Sequence, residues 1–152
     1  RTFAGKVQDI SQLLVDAPLG GRLRPLPLTA TYHDACHLAH GQRVRQEPRK
    51  LLRAIPELRL VELQESDFCC GSAGVYNLLH PKEAKAFLDR KLARVAETNA
   101  EIVVSGNPGC TLQMQAGLRD RGKDVRVLHP AELVDWSLRG GLAAPSPWEL
   151  GR

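Results

Sequence analysis

Ile102-Val103-Val104-Ser105-Gly106-Asn107-Pro108-Gly109-Cys110 is the stretch that decides how this chain folds. It begins with Ile102–Ser105, a short run rich in apolar, β-branched residues, which is typical of a buried strand. Asn107-Pro108-Gly109 then predicts a turn, and the residues that follow predict a helix. The stretch therefore predicts a strand that leads through a tight turn into a helix, with Cys110 at the junction.

The same alternation of strand and helix continues on both sides of this stretch. Strand-type runs recur at Leu28–Tyr32, Leu58–Leu63 and Val125–Leu128. Helical patterns lie at Arg49–Ile55, Pro81–Asn99, Thr111–Arg121 and Pro130–Leu138. This alternation implies an α/β fold with a mostly parallel sheet and helices on both of its faces.

The two ends of the chain differ in composition from its centre. Apolar residues at helical spacing predict a helix over residues 3–16, and a linker rich in proline and glycine follows as far as Pro27. Residues 28–139 are expected to form one cysteine-rich domain, and residues 140–152 a loose tail. Because the chain starts at Arg1 without a leader, we expect it to be part of a longer polypeptide.

The composition excludes several classes of protein. An apolar content of 43% and a charged content of 25% are ordinary for a soluble domain, and no apolar run is long enough to cross a bilayer. The net charge of +4 is spread along the chain, and aromatic residues make up only 5% of it, so nucleic-acid binding is not expected. In a reducing cytoplasm, four cysteines indicate metal or redox chemistry rather than disulfides.

The four cysteines are placed where one metal site could collect them. Cys69 and Cys70 are adjacent, a spacing that rarely forms a disulfide, and Cys36 and Cys110 lie far away on either side. Each follows the carboxyl end of a predicted strand, which is where open parallel sheets bind ligands. Any one of them alone would be a small core residue. Together they predict a soft-metal site, for which iron-sulfur and Zn²⁺ are both suitable.

Three histidines flank Cys36 closely enough to influence it. We expect His37 to lie beside the site, where an imidazole can donate an N–H to a ligating sulfur. A histidine can also replace a cysteine as a ligand of iron or zinc. The alternative for His33 is that it ends a strand and bonds to the backbone, and His40 is expected to lie in solvent.

Glycines next to the cysteines predict close approach of the backbone to a bulky group. Gly71 and Gly109 are expected to contribute to cofactor binding in this way, because glycine permits positive φ and exposes backbone N–H groups. The basic face of the helix at Pro81–Asn99 is expected to be solvated.

Three separated motifs resemble one known family. Thr31–Gln42, Cys69–Asn77 and Ser105–Cys110 are similar to motifs of the cysteine-rich CCG domain, which occurs in heterodisulfide reductases and in iron-sulfur subunits of 2-hydroxyacid and glycerol-3-phosphate dehydrogenases. The resemblance runs from about Leu28 to Leu138. The motifs look like those of the C-terminal domain of iron-sulfur subunits of the glycolate oxidase type.

The resemblance implies a ligand set. It implies that Cys36, Cys69, Cys70 and Cys110 bind an iron-sulfur cluster of the [4Fe-4S] type. Gln113 stands where the fullest form of the family has a fifth cysteine, so a five-cysteine cluster is not expected.

The resemblance also implies a function. A partner subunit containing FAD would oxidise a 2-hydroxy acid, glycolate foremost, and electrons would pass through this domain toward a quinone. A ferredoxin-like portion would belong to the same full-length subunit. The chain alone is expected to catalyse nothing. It would be cytoplasmic, held at the inner face of the membrane only through partners.

Two alternatives belong to other classes of function. The first is a docking module that holds Zn²⁺ or no metal and binds the catalytic subunit. The second is thiol-disulfide chemistry at Cys69 and Cys70, which is disfavoured because no Cys-x-x-Cys motif opens a helix and lowers a thiol pKa.

Overall fold

A four-stranded parallel sheet forms the centre of the computed structural model, which describes residues 3–150. The strands are β1 (Thr29–His33), β2 (Arg59–Glu62), β3 (Ile102–Ser105) and β4 (Arg126–Leu128). They lie in the order β2-β1-β3-β4, and every neighbouring pair is parallel. The predicted α/β fold with a parallel sheet is confirmed.

Helices connect the strands, and four of them begin with proline. The helices are α1 (Ile10–Val15), α2 (Gln46–Ala54), α3 (Tyr76–Leu79), α4 (Pro81–Glu97), α5 (Pro108–Asp120), α6 (Pro130–Arg139) and α7 (Pro147–Leu150). Two short 3₁₀ turns (Phe3–Lys6 and Gly141–Ala143) and one π-helix (His37–Gln42) complete the elements of the described chain. Proline starts α4 to α7 because its fixed φ suits the first helical turn, where its missing N–H is not needed.

Both faces of the sheet are buried. In β3, Ile102 and Val104 pack in one core with α2 and α6, whereas Val103 packs in the opposite core with α4 and α5. Successive side chains of a strand point to opposite faces, so one strand serves both cores. Helices on both faces, as predicted, follow from this continuous apolar run.

The N-terminal segment differs from its prediction. A 3₁₀ turn at Phe3–Lys6 is followed by a break, and α1 starts only after Asp9. The Asp9 carboxylate accepts a hydrogen bond from the Ser11 N–H, and the Gln12 side chain bonds back to the Asp9 N–H. This capping box fixes the start of α1 and divides the single helix expected over residues 3–16.

The described part of the C-terminal segment packs on α6, although a loose tail was expected over residues 140–152. The rings of Trp136 and Trp148 meet edge to face with centroids 5.2 Å apart, and Trp136 Nε1 donates to the Ala144 carbonyl at 3.1 Å. Aromatic burial of this kind outweighs the effect of a glycine- and proline-rich composition. Residues 151–152 lie outside the described residues. Among the helices described, none has the length and apolar character needed to cross a membrane.

The order of the strands determines where a ligand can bind. The chain goes from β1 to its neighbour β2, and then crosses to β3 on the opposite side of β1. Parallel sheets open a crevice at the carboxyl ends of the strands where such a reversal occurs. All four cysteines follow these strand ends in sequence, since Cys36 comes after β1, Cys69-Cys70 after β2 and Cys110 after β3.

Candidate metal centre

Three buried side chains form the centre of the site. A ring nitrogen of His33 and the Sγ atoms of Cys70 and Cys110 all lie within 4.8 Å of one another. His33 is the last residue of β1, Cys70 lies in the loop after β2, and Cys110 lies in the first turn of α5. Thiolate and imidazole are the ligands that zinc and iron-sulfur centres use, so this donor set fits a soft metal.

Asn107 positions Cys110. Its side chain caps α5, with Oδ1 accepting a hydrogen bond from the Cys110 N–H at 2.9 Å. Its Nδ2 lies 3.2 Å from Nδ1 of His37, at the start of the π-helix. Asn107 therefore joins the segment after β1 to the turn that carries Cys110. The exposed His37 contacts this asparagine, and its expected role beside a sulfur stays a prediction.

Gly71 allows the loop after Cys70 to pack against α4. Its φ is +90°, and a Cβ atom built on it would lie 2.3 Å from the Ala84 carbonyl oxygen. The Gly71 N–H points at the Cys69 sulfur, at 3.3 Å. Only glycine fits this backbone conformation and this close approach.

Gly109 allows two segments of the site to meet. A Cβ atom there would lie 2.9 Å from the Ser72 hydroxyl oxygen, so the missing side chain lets the start of α5 approach the Cys70 loop. The cofactor-binding roles expected of Gly71 and Gly109 stay predictions, because what is visible here is a steric role for each.

Proximity changes the acidity of the buried thiols in opposite directions. The hydrogen bond from the Cys110 thiol lowers the pKa of Cys70 against the opposing effect of burial, and His33 and the Ser72 N–H assist. The same hydrogen bond, together with burial, raises the pKa of Cys110. Burial also raises the pKa of Cys69. The pKa values of the neighbouring thiols of Cys70 and Cys110 are therefore shifted in opposite directions.

A buried lysine supports the loop that leads to Cys69. Lys91 of α4 is fully buried, and its ammonium donates to the carbonyl oxygens of Glu65 and Ser66 at 2.5 and 3.2 Å. Burial lowers its pKa from 10.5 to about 8. The basic face of this helix was expected to be solvated, and Lys91 is an exception. The signal was present in the sequence, because position 91 falls between Leu88 and Val95 on the apolar face.

A buried ion pair fixes the segment between His33 and Cys36. Arg49 of α2 donates to both carboxylate oxygens of Asp34, at 2.7 and 2.8 Å, and its Nε bonds to Glu62. Burial acts to raise the pKa of Asp34, but hydrogen bonds from Arg49 and Ser66 and the positive charge of the nearby arginines together outweigh it, and the net pKa is lowered. Sequence reasoning missed this pair, although an aspartate directly after a buried strand was a usable signal.

The predicted cysteines do not all enter the compact group. Cys70 and Cys110 belong to it, Cys69 is half-buried beside Cys70, and Cys36 is exposed at the start of the π-helix. The full set of four cysteine ligands therefore stays a prediction.

His33 fits only part of the alternative in which it is a strand-end residue. It does end β1, but neither of its buried ring nitrogens has a hydrogen-bond partner among the residues described, so it does not bond to the backbone. The sequence left open whether His33 is a ligand or a strand-end residue, because its burial was not visible. His40 is exposed, as expected.

Gln113 has a partner of its own. Its side-chain oxygen accepts a hydrogen bond from Asn77 Nδ2 at 3.0 Å, which ties α3 to α5. Gln113, which stands in place of the fifth cysteine that the resemblance implies, is thus engaged with a neighbouring helix.

The family of cysteine-rich domains described as CCG matches residues 30–115, a stretch that contains all four cysteines. The chain belongs to this family. The match extends from β1 into α5, so the CCG domain contains the three strand ends that surround the site.

Several curated proteins are similar to the chain. It is 38% identical over 136 residues to the "Probable glycolate oxidase iron-sulfur subunit" of Bacillus subtilis, covering 87% of this chain and 31% of that protein. It is 33% identical over 145 residues to "Lactate utilization protein A" of Oceanobacillus iheyensis, covering 93% and 58%. It is 37% identical over 130 residues to a subunit of the fumarate reductase (CoM/CoB) of Methanothermobacter marburgensis, covering 85% and 27%. The chain spans less than two thirds of each relative.

Proposed function

We propose that this CCG domain holds an iron-sulfur cluster and transfers electrons within a flavin-dependent 2-hydroxyacid oxidoreductase. The observation that carries the proposal is the buried group of His33, Cys70 and Cys110 at the reversal point of the sheet. The names of the relatives, one of them an iron-sulfur subunit of a probable glycolate oxidase, support this choice among soft-metal functions.

The proposed cluster ligands are Cys36, Cys69, Cys70 and Cys110, and the proposed cluster is of the [4Fe-4S] type. When bound, such a cluster accepts and donates single electrons. The chain's own residues provide soft donors and a dry environment, since Cys70 and Cys110 are 1% and 6% exposed. The Gly71 N–H and the Lys91 cation supply positive charge near the sulfurs, which stabilises thiolates.

An apolar surface beside the site supports a role in a complex. Val75, Leu78 and Leu79 around α3 and Leu112 of α5 are 63 to 75% exposed. The bond between Asn77 and Gln113 joins the two segments that carry them. Apolar side chains grouped in this way are typical of surfaces that a partner protein covers.

We propose that the partner is the FAD-containing catalytic subunit, which oxidises a 2-hydroxy acid such as glycolate. The ferredoxin-like portion of the same full-length subunit would share the electron path. Quinone would be the acceptor, and the complex would be cytoplasmic and would reach the inner face of the membrane through partners. The domain alone would have no activity.

Replacing Cys70 tests the proposal. In the complete complex, Cys70→Ser should abolish quinone reduction by the hydroxy acid, because electrons no longer leave the flavin. Reduction of the flavin by the same substrate should continue, since that chemistry lies in the partner. His40→Ala, a change at the exposed histidine, is the matched control and should leave both rates unchanged. Quinone reduction that survives in Cys70→Ser would refute electron transfer through this site.

A zinc-holding docking module is the second candidate. The observation that favours it is the compactness of the donor group, because three ligating atoms within 4.8 Å suit a single tetrahedral ion. Metal analysis with an absorption spectrum separates the two, since zinc sites are colourless. Thiol-disulfide chemistry is disfavoured, because the low-pKa thiol of Cys70 is 1% exposed and no disulfide substrate could reach it.

A further inference from the structure

We propose that the His33 imidazole is itself a ligand of the metal, bound through a ring nitrogen alongside the sulfurs of Cys70 and Cys110. The inference rests on the proposed function in one respect only, which is that the site binds a metal. It does not depend on whether that metal is iron or zinc.

The burial of His33 is the first argument. The residue is 1% exposed, and within the described chain neither Nδ1 nor Nε2 has a hydrogen-bond partner. Buried polar side-chain atoms are nearly always hydrogen-bonded, because an unpaired one keeps its full desolvation cost. A metal ion would satisfy one of these nitrogens.

The position of the ring is the second argument. One ring nitrogen lies within 4.8 Å of both sulfurs, so a single ion could contact all three atoms after small side-chain movements. Ligand atoms around tetrahedral zinc, at bond lengths of about 2.0 to 2.3 Å, lie roughly 3.5 to 4 Å from one another. The three atoms therefore already approach the spacing that one ion imposes.

The rigidity of the three supports is the third argument. His33 pairs with Ser105 in the register of β1 with β3, and the next residue, Asp34, is locked by Arg49. Cys110 is fixed by the Asn107 cap of α5. Cys70 lies in the loop after β2, and Gly71 lets this loop pack closely against α4. The arrangement is therefore held by packed parts of the fold.

A histidine ligand would complete the donor set if one of the four proposed cysteines, such as the exposed Cys36, lies outside the centre. Gln113 is occupied by Asn77, so its side-chain oxygen is not directed to the site. A neutral imidazole in place of a thiolate makes the centre less negative, which raises its reduction potential if the metal is iron. The sequence therefore encodes a mixed sulfur and nitrogen site.

The direct test uses the full chain, purified without oxygen from cells grown on ¹⁵N-labelled histidine. X-ray absorption at the edge of the bound metal should show a nitrogen ligand at about 2.0 to 2.1 Å beside the sulfur ligands. If the metal is iron, pulsed EPR of the reduced protein should show a ¹⁵N coupling. A histidine that only hydrogen-bonds to a sulfur gives no metal–nitrogen bond, so the measurement separates these two roles without any mutation.

Variants give the second measurement. His33→Cys should keep the metal and convert its coordination to sulfur alone, whereas His33→Ala should lose most of the metal. His40→Ala, at an exposed histidine seven residues along, should keep both metal content and the nitrogen signal.

The outcomes separate this inference from the proposed function. Zinc with a nitrogen ligand would support His33 as a ligand and refute electron transfer. An iron-sulfur centre with sulfur ligands alone, or an unchanged nitrogen signal in His33→Cys, would overturn the role of His33 and leave electron transfer standing. A chain that contains neither iron nor zinc after anaerobic purification would overturn both the role of His33 and the proposed electron transfer.

Discussion

At the scale of single residues, side chains of the site divide into those that can bind a metal and those that position them. Cys70, Cys110 and His33 present donor atoms to one another. Asn107 and Gln113 instead form hydrogen bonds that connect neighbouring segments. This division predicts opposite effects on metal content when Cys110 and Gln113, which lie one turn apart in α5, are replaced.

Gln113→Ala should leave the metal content nearly unchanged, whereas Cys110→Ala should empty the site. An amide oxygen is a poor ligand for a soft metal, and in this chain it is already bonded to Asn77. The glutamine variant loses only that hydrogen bond, at a cost of about 1 kcal/mol in the free energy of unfolding. Metal analysis after anaerobic purification checks both variants. Equal metal loss in the two would place Gln113 among the ligands.

At the scale of elements, helix α4 supports the loop that carries Cys69 and Cys70. Lys91 bonds to two carbonyls of the loop, and the Ala84 carbonyl lies where a side chain of residue 71 would be. A charged group buried in this way makes the stability of the element depend on pH.

The metal-free, reduced chain should become more stable relative to Lys91→Met as pH rises from about 8 to 10.5. The folded-state pKa of Lys91 is about 8 and its ordinary value is 10.5, so in this window the unfolded chain binds the proton and the folded chain does not. Stability rises with pH wherever the unfolded state binds more protons. The upper limit of the effect is about 3 kcal/mol, at 1.36 kcal/mol per pKa unit.

Urea unfolding at several pH values checks this expectation. Lys82→Met, at an exposed lysine of the same helix, is the control and should follow the unmodified chain. Parallel stability profiles for Lys91→Met and the unmodified chain would mean that the Lys91 ammonium is not desolvated.

Sequence alone predicted elements better than it predicted the surroundings of the site. The strand at Ile102–Ser105 was predicted with its observed bounds, because a short run of β-branched apolar residues strongly favours a buried strand. The prediction of one helix over residues 3–16 was wrong, because a local capping box at Asp9 starts α1 there. The cysteines could be found by residue type, but the roles of His33 and Lys91 depend on burial, which arises only from tertiary packing.

At the scale of the whole molecule, strand order brings distant segments to one place. The strand order reverses at β1, because β2 lies on one side of it and β3 on the other. The carboxyl ends of β1 and β3 therefore lie beside the loop after β2. Histidine and cysteines from three separate segments then share a buried site, beside an apolar surface that a partner can cover. This arrangement places the candidate metal site beside a surface that a partner can cover, as the proposed electron transfer requires.

The central claim is that the site holds a redox-active iron-sulfur centre. The most direct test is analysis of iron, zinc and acid-labile sulfide, with a visible spectrum, on the full chain purified without oxygen. We predict iron and sulfide in similar amounts and a broad absorption in the visible that is bleached by a chemical reductant. A colourless protein that contains zinc, or one that contains no metal after anaerobic purification, would contradict the claim.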